Sequence, residues 1–194
     1  MRLFVAVNFD EVTKSRLLAV QEQIKAQAIK GNFTRPENLH LTLLFIGEVT
    51  ADLKPVITGI IKNAVNTAIT TQPKEITQKS LSLSFNNTGF FKRAGKELWW
   101  IGLDSKNKTT EEILVSIRQK IGSGLNEAGI HYDRRQFRAH ITLGREIKPA
   151  ALIKAPECSI CIQVKRISLM KSENLRGILN YAEVFGMDLF RENP

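Results

Sequence analysis

The sequence predicts an α+β fold built on antiparallel sheets. Its 194 residues are 43% hydrophobic and 24% charged, ordinary proportions for a folded globular chain. Segments with strand periodicity and with helix periodicity are mixed along it without regular βαβ alternation. One faint internal repeat is present: His40-Leu41-Thr42-Leu43 in the first half and His140-Ile141-Thr142-Leu143 in the second.

The elements follow in order. Leu3 to Phe9 reads as a strand that begins almost at the first residue. A helix is expected from about Glu11 to Ala28, with Leu17, Val20, Ile24 and Ala28 at helical spacing. Asn38 to Gly47 is apolar, rich in Leu and stopped by Gly, and reads as a strand. Thr50 or Asp52 caps a second helix that tolerates Pro55 in its first turn and carries Ile57, Ile60, Ile61, Ala64, Val65 and Ala68. Strands are expected at Leu81 to Phe85 and Leu98 to Leu103, separated by a basic loop from Asn86 to Lys96. Thr109 or Thr110 opens a third helix through Ile113, Leu114, Ile117, Ile121 and Leu125, and Gly129 is placed to end it. A strand near Arg138 to Gly144 follows, and long strands at Ile160 to Met170 and Tyr181 to Phe190 are expected to pair around Gly177.

Composition narrows the function classes. The net charge of +9 favours anionic partners such as nucleic acid, nucleotides or acidic membrane surfaces, without specifying which. No apolar run approaches the length of a membrane span and the first residues lack a signal-peptide pattern, so a cytoplasmic protein with no membrane partner is expected. Cys158 and Cys161 form one C-x-x-C in a strand-like stretch, without the second ligand pair of a zinc site. They are expected to be two small, partly buried thiols. No Gly-rich phosphate loop followed by Lys-Ser/Thr is present, which argues against a kinase.

The two His-x-Thr segments carry the chemistry. Two of the three histidines have Thr two residues on, each inside a predicted strand, with a branched apolar residue between and Leu after. Side chains alternate faces along a strand, so His40 and Thr42 share one face and His140 and Thr142 share another, while Leu41, Leu43, Ile141 and Leu143 turn to the core. If two lobes are related by a pseudo-two-fold axis, these polar faces meet across a cleft. Imidazole suits proton transfer near neutral pH, and hydroxyls can donate to phosphate oxygens. Two such groups on either side of one phosphorus permit in-line attack by water without a metal. No carboxylates cluster near the pair in sequence, and neither a metal nor another cofactor is expected.

The segments Glu37 to Glu48 and Phe137 to Arg145 resemble the paired signatures of the 2H phosphoesterases, and within them the RNA 2′,3′-cyclic phosphodiesterases once described as 2′-5′ RNA ligases. Arg2 to Val7, Ser168 to Ser172, Gly177 and Tyr181 are similar to that branch as well. The resemblance implies one domain over residues 1–194, made of two interleaved lobes in a bilobal, pseudo-two-fold arrangement of antiparallel sheets, helices outside and a central cleft. It implies opening of a 2′,3′-cyclic phosphate at RNA ends to a 2′-phosphate, with His40 as proton donor, His140 as acceptor, and Thr42 and Thr142 holding phosphate. The stretch Ser80 to Trp100 is longer than that pattern, and Arg35 stands where an aromatic residue is common.

Other residues are weighed by parity. Arg138 shares parity with His140 and is expected to bind substrate phosphate. Arg145 has opposite parity but lies at the strand end. Phe45 has odd offset from His40 and is expected in the core. Lys92 and Arg93 beside Phe90 and Phe91 make a basic and aromatic mix able to follow single-stranded RNA, although a solvated loop reads equally well. Trp99 and Trp100 face opposite sides, one to the core and one to the cleft, and His131 reads as a surface residue. The protein is expected to act as a monomer on RNA ends or related nucleotides. Rival functions are 2′-5′ RNA ligation, hydrolysis of small cyclic nucleotides, and a non-catalytic nucleotide- or RNA-binding module.

Overall fold

A computed structural model describes residues 1–72, 81–104 and 108–190; Ser80, at the edge of the long stretch noted above, lies outside them. Nine antiparallel strands and three helices follow one another among the described residues as β1 (Arg2–Asn8), α1 (Glu11–Lys25), β2 (Ala28–Phe33), β3 (His40–Glu48), α2 (Lys54–Thr70), β4 (Leu81–Arg93), β5 (Lys96–Leu103), α3 (Lys108–Glu127), β6 (His140–Pro149), β7 (Ile160–Val164), β8 (Arg166–Leu175) and β9 (Ile178–Asp188). The strands form one sheet in the order β7-β4-β5-β6-β3-β1-β8-β9, with β2 added on β6. The two His-x-Thr strands are its centre, joined at the pair Leu41 and Ile141. On either side of that pair lie three more strands, so β6-β5-β4-β7 mirrors β3-β1-β8-β9 about a pseudo-two-fold axis.

The alternation in β1 shows how the sheet separates core from site. Leu3, Val5 and Val7 join the main core, whereas Phe4 and Ala6 cluster with Met170 and Tyr181 on the opposite face. The core face is covered by the helices. Leu17, Val20 and Ile24 of α1, Ile57, Ile61 and Val65 of α2, and Ile113, Ile117 and Ile121 of α3 are all buried there. Asp10 caps α1 by accepting the Thr13 N–H at 2.8 Å, one of the backbone donors that a helix start leaves unpaired.

Four expectations need correction. The helix expected to reach Ala28 stops at Lys25, and the chain turns into β2, an edge strand whose polar residues give no apolar alternation. Gly31 lets β2 lie close on β6, since a Cβ there would meet Ile147 Cγ1 at 2.7 Å. The expected basic loop Asn86 to Lys96 is instead the end of a long hairpin, β4–β5, closed by Ala94 and Gly95. Both have positive φ, 48° and 72°, as a two-residue hairpin turn matched to strand twist requires. The expected strand Ile160 to Met170 breaks at Lys165, and its two parts go to opposite ends of the sheet: β7 pairs with β4, and β8 with β1 and β9. The hairpin around Gly177 is therefore β8–β9 alone. Finally, Cys161 is exposed, because β7 turns Ile160, Ile162 and Val164 inward; Cys158 is half-buried and both thiols are free.

Candidate active site

The site face at the sheet's centre presents His40 and Thr42 from β3, and His140 and Thr142 from β6. Antiparallel register outward from the Leu41 and Ile141 pair sets His40 toward Thr142 and Thr42 toward His140. The two imidazoles are held the same way. His40 Nδ1 donates to the Asn38 carbonyl at 2.7 Å, and His140 Nδ1 donates to the Arg138 carbonyl at 2.7 Å. A carbonyl only accepts, so in each neutral ring the proton sits on Nδ1 and Nε2 keeps the lone pair. His40 Nε2 lies 2.8 Å from Thr42 Oγ1, while His140 Nε2 has no protein partner among the described residues.

The surroundings of the rings differ. His40 packs against Phe4 (centroids 5.0 Å apart) and edge-on to Tyr181 (5.2 Å), which also contact each other. Burial in this aromatic setting pushes the His40 pKa down to about 4, with the charges of Arg145 and His140 acting in the same direction and the Asn38 hydrogen bond opposing them. Burial likewise raises the Tyr181 hydroxyl above its ordinary value, against the pull of Arg145 and Arg2. Phe4 and Tyr181 were not singled out as site residues by sequence, although their parity on β1 and β9 carries the signal.

A cleft of about 350 Å³ opens beside His140, lined among others by Thr42, Arg138, Arg145, Phe45 and Phe91. Thus Arg138 lies where parity places it. Phe45 does not lie in the core: it is 41% exposed on the cleft wall. The reason is a β-bulge. Val5 pairs with Leu44 and Ala6 with Thr42, so Leu43 is an extra residue and Leu44 and Phe45 change face, until a second shift at Ile46 restores the register of Gly47 and Glu48. The same device recurs in β6, where Trp99 pairs with Gly144 and Trp100 with Thr142, leaving Leu143 extra. Arg145 is thereby returned to the site face, as the pseudo-symmetry counterpart of Phe45.

Neighbouring segments fix both bulges. The Leu143 carbonyl accepts from the Thr34 N–H and from Nε2 of the buried Gln21 of α1, each at 2.8 Å, and Thr34 Oγ1 donates to the Thr142 carbonyl at 2.9 Å. On the other strand the Phe45 carbonyl accepts the Asp133 N–H at 2.8 Å. The segment leading into each histidine is thus tied to the other histidine's strand. Across β5, Trp99 is buried in the core and Trp100 faces the site opposite Thr142, as their parity requires. His131 is exposed.

Among the described residues no three His, Cys, Asp or Glu side chains converge as a metal-binding group, and no helix is long and apolar enough to cross a membrane. Arg138 and Arg145 have no carboxylate partner among the described residues, whereas Arg35 is paired with Glu37 and Arg135 with Asp133. Two positioned imidazoles, two hydroxyls and these two guanidinium groups are a set able to hold an anion and to transfer protons.

The sheet, with its two matched His-x-Thr strands at the centre, is the frame of a known family, and the comparisons identify which. The chain belongs to the 2′-5′ RNA ligase superfamily, the 2H phosphoesterases, whose family model matches residues 13–176. It is 31% identical over 145 residues to an RNA 2′,3′-cyclic phosphodiesterase of Methanocaldococcus jannaschii, covering 75% of this chain and 71% of that protein. It is 32% identical over 147 residues to the Archaeoglobus fulgidus protein of the same name, covering 75% and 72%. The fold matches a Thermus thermophilus protein with a TM-score of 0.76 at 23% identity, covering all of both chains. It also matches Escherichia coli LigT complexed with 3′-AMP, with a TM-score of 0.67 at 21% identity over 98% of each.

Proposed function

We propose that this protein is an enzyme that hydrolyses the 2′,3′-cyclic phosphate at RNA ends to a 2′-phosphate, by metal-independent acid-base catalysis between His40 and His140. The observation that carries the reading is the matched pair of imidazoles, each with Nδ1 pinned to a carbonyl two residues upstream, on one face beside Arg138 and Arg145. The names of the relatives support the substrate class. In the reaction His140 Nε2 takes a proton from water as the water oxygen bonds to phosphorus. The P–O3′ bond breaks opposite it, and protonated His40 delivers its Nε2 proton to the departing O3′. Thr42, Thr142, Arg138 and Arg145 stabilise the non-bridging oxygens as negative charge builds there.

The low pKa of His40 is compatible with the donor role. A bound phosphate places negative charge beside the ring, which favours the imidazolium and reverses the effect of Arg145. The test is direct. Oligonucleotides ending in a 2′,3′-cyclic phosphate are incubated with the protein in excess chelator and the products identified. The expected product is the 2′-phosphate, with turnover falling by at least about a hundredfold in His40→Gln and in His140→Gln. A 3′-phosphate product, loss of activity to the chelator, or near-normal turnover in either variant overturns the reading.

A further inference from the structure

The cleft has aromatic walls. On the β3 side stands Phe45, 41% exposed. On the β6 side, Phe91 reaches the cleft from the β4–β5 hairpin, 51% exposed, with its ring 5.6 Å from that of Trp100 and tilted by 36°. Trp100 is firmly seated. Its indole lies against Gly89 and Gly102, where a Cβ would come within 2.5 Å and 2.9 Å of ring atoms. Those two glycines leave room for the ring to lie down along the sheet, and Phe91 rests on it. Since Trp100 is paired with Thr142 and Gly102 with His140, this two-ring platform adjoins the second catalytic strand.

Phe91 leaves an apolar ring open to a ligand on the cleft wall, and the charge nearby indicates which kind. Arg138 and Arg145 line the same cleft without carboxylate partners among the described residues, so the occupant alternates flat π-faces with negative charge. Single-stranded nucleic acid has that alternation, one base for each phosphate.

Resting on the phosphodiesterase reading, we propose that Phe91, seated on Trp100, stacks on the base of the nucleotide 5′ to the cyclised residue. The platform makes the protein selective for an RNA end over a free cyclic nucleotide. The experiment measures kcat/KM for a 2′,3′-cyclic mononucleotide, for a dinucleotide with the same cyclic end, and for that dinucleotide with its upstream base removed. In the wild-type protein the dinucleotide is expected to exceed the mononucleotide by about tenfold or more, and the abasic form to lose that advantage. Phe91→Ala should bring the dinucleotide to mononucleotide ratio close to one, and Phe91→Trp should keep it. Wild-type turnover of none of the three substrates refutes the phosphodiesterase reading, and the proposal falls with it. Turnover with a ratio that Phe91→Ala leaves intact, or equal losses on all three substrates, refutes the platform alone.

Discussion

His40 sits between opposing demands. The proposed reaction asks it to carry a proton, and its burial beside Phe4 and Tyr181 disfavours the charged ring, to a pKa of about 4. The unfolded chain binds that proton near the ordinary value of 6.5. Between these two values the unfolded state therefore holds more protons than the folded one. Stability contributed by neutral His40 is complete above about pH 6.5 and is lost as pH falls toward about 4, by about 3 kcal/mol. Urea unfolding of the substrate-free protein should show this decline, and His40→Gln should flatten it; an equal decline in the variant would place its origin elsewhere. The same value shapes the kinetics. With His140 replaced by Gln, residual kcat/KM depends on protonated His40 alone, so it should lose its acidic limb and fall as pH rises above about 4. His40→Gln should lose the basic limb instead, and the opposite pattern would exchange the two roles.

Among the elements, the bulged strands are the most consequential. Gln21, 4% exposed, donates to the Thr34 and Leu143 carbonyls and so clamps α1 to the bulge that turns Arg145 toward the site. Gln21→Ala leaves buried carbonyl capacity unmet, at a cost of about 1–3 kcal/mol, or about 2–10 °C in Tm for a chain of this size. It should also lower kcat/KM about tenfold by releasing Arg145; a stable, fully active variant would show that the bulge holds itself. These elements also mark how far the sequence could be read. Periodicity located both His-x-Thr strands and the three α-helices of the described residues, because Leu41, Ile141 and the helix stripes are buried on one face. It missed β2, whose Lys30, Gly31 and Asn32 give no apolar alternation, and it took β4 beyond Phe85 for a loop because that hairpin is polar and exposed. It misplaced Phe45 because a bulge inverts parity while leaving the apolar run Leu43-Leu44 looking like ordinary strand.

At the scale of the molecule, the chain carries a net charge of +9, and Arg138 and Arg145 line its cleft. Binding of an RNA oligomer should weaken as salt rises, with a steeper slope than for a cyclic mononucleotide, because more counterions are released. Equal slopes would mean that the basic surface does not follow the RNA backbone. The site itself is a product of the whole chain. Its histidines lie a hundred positions apart, and each incoming segment is tied to the opposite strand through Thr34 or Asp133.

The pairing of β1 with β8 bears on protein synthesis. Arg2 lies beside Ser172, and Tyr181 of β9 completes the wall behind His40. A chain emerging from the ribosome therefore carries both motif histidines before β8 and β9 exist. Until those strands arrive, β1 has an open edge and His40 has Phe4 beside it but not Tyr181. On the proposed reading, a nascent or prematurely terminated chain lacks a complete site with which to act on RNA ends. A version ending before Ile160 keeps both His-x-Thr motifs and is expected to hydrolyse no cyclic phosphate; adding the missing segment as a separate peptide should restore turnover. Activity in the truncated chain alone would show that the two central strands suffice.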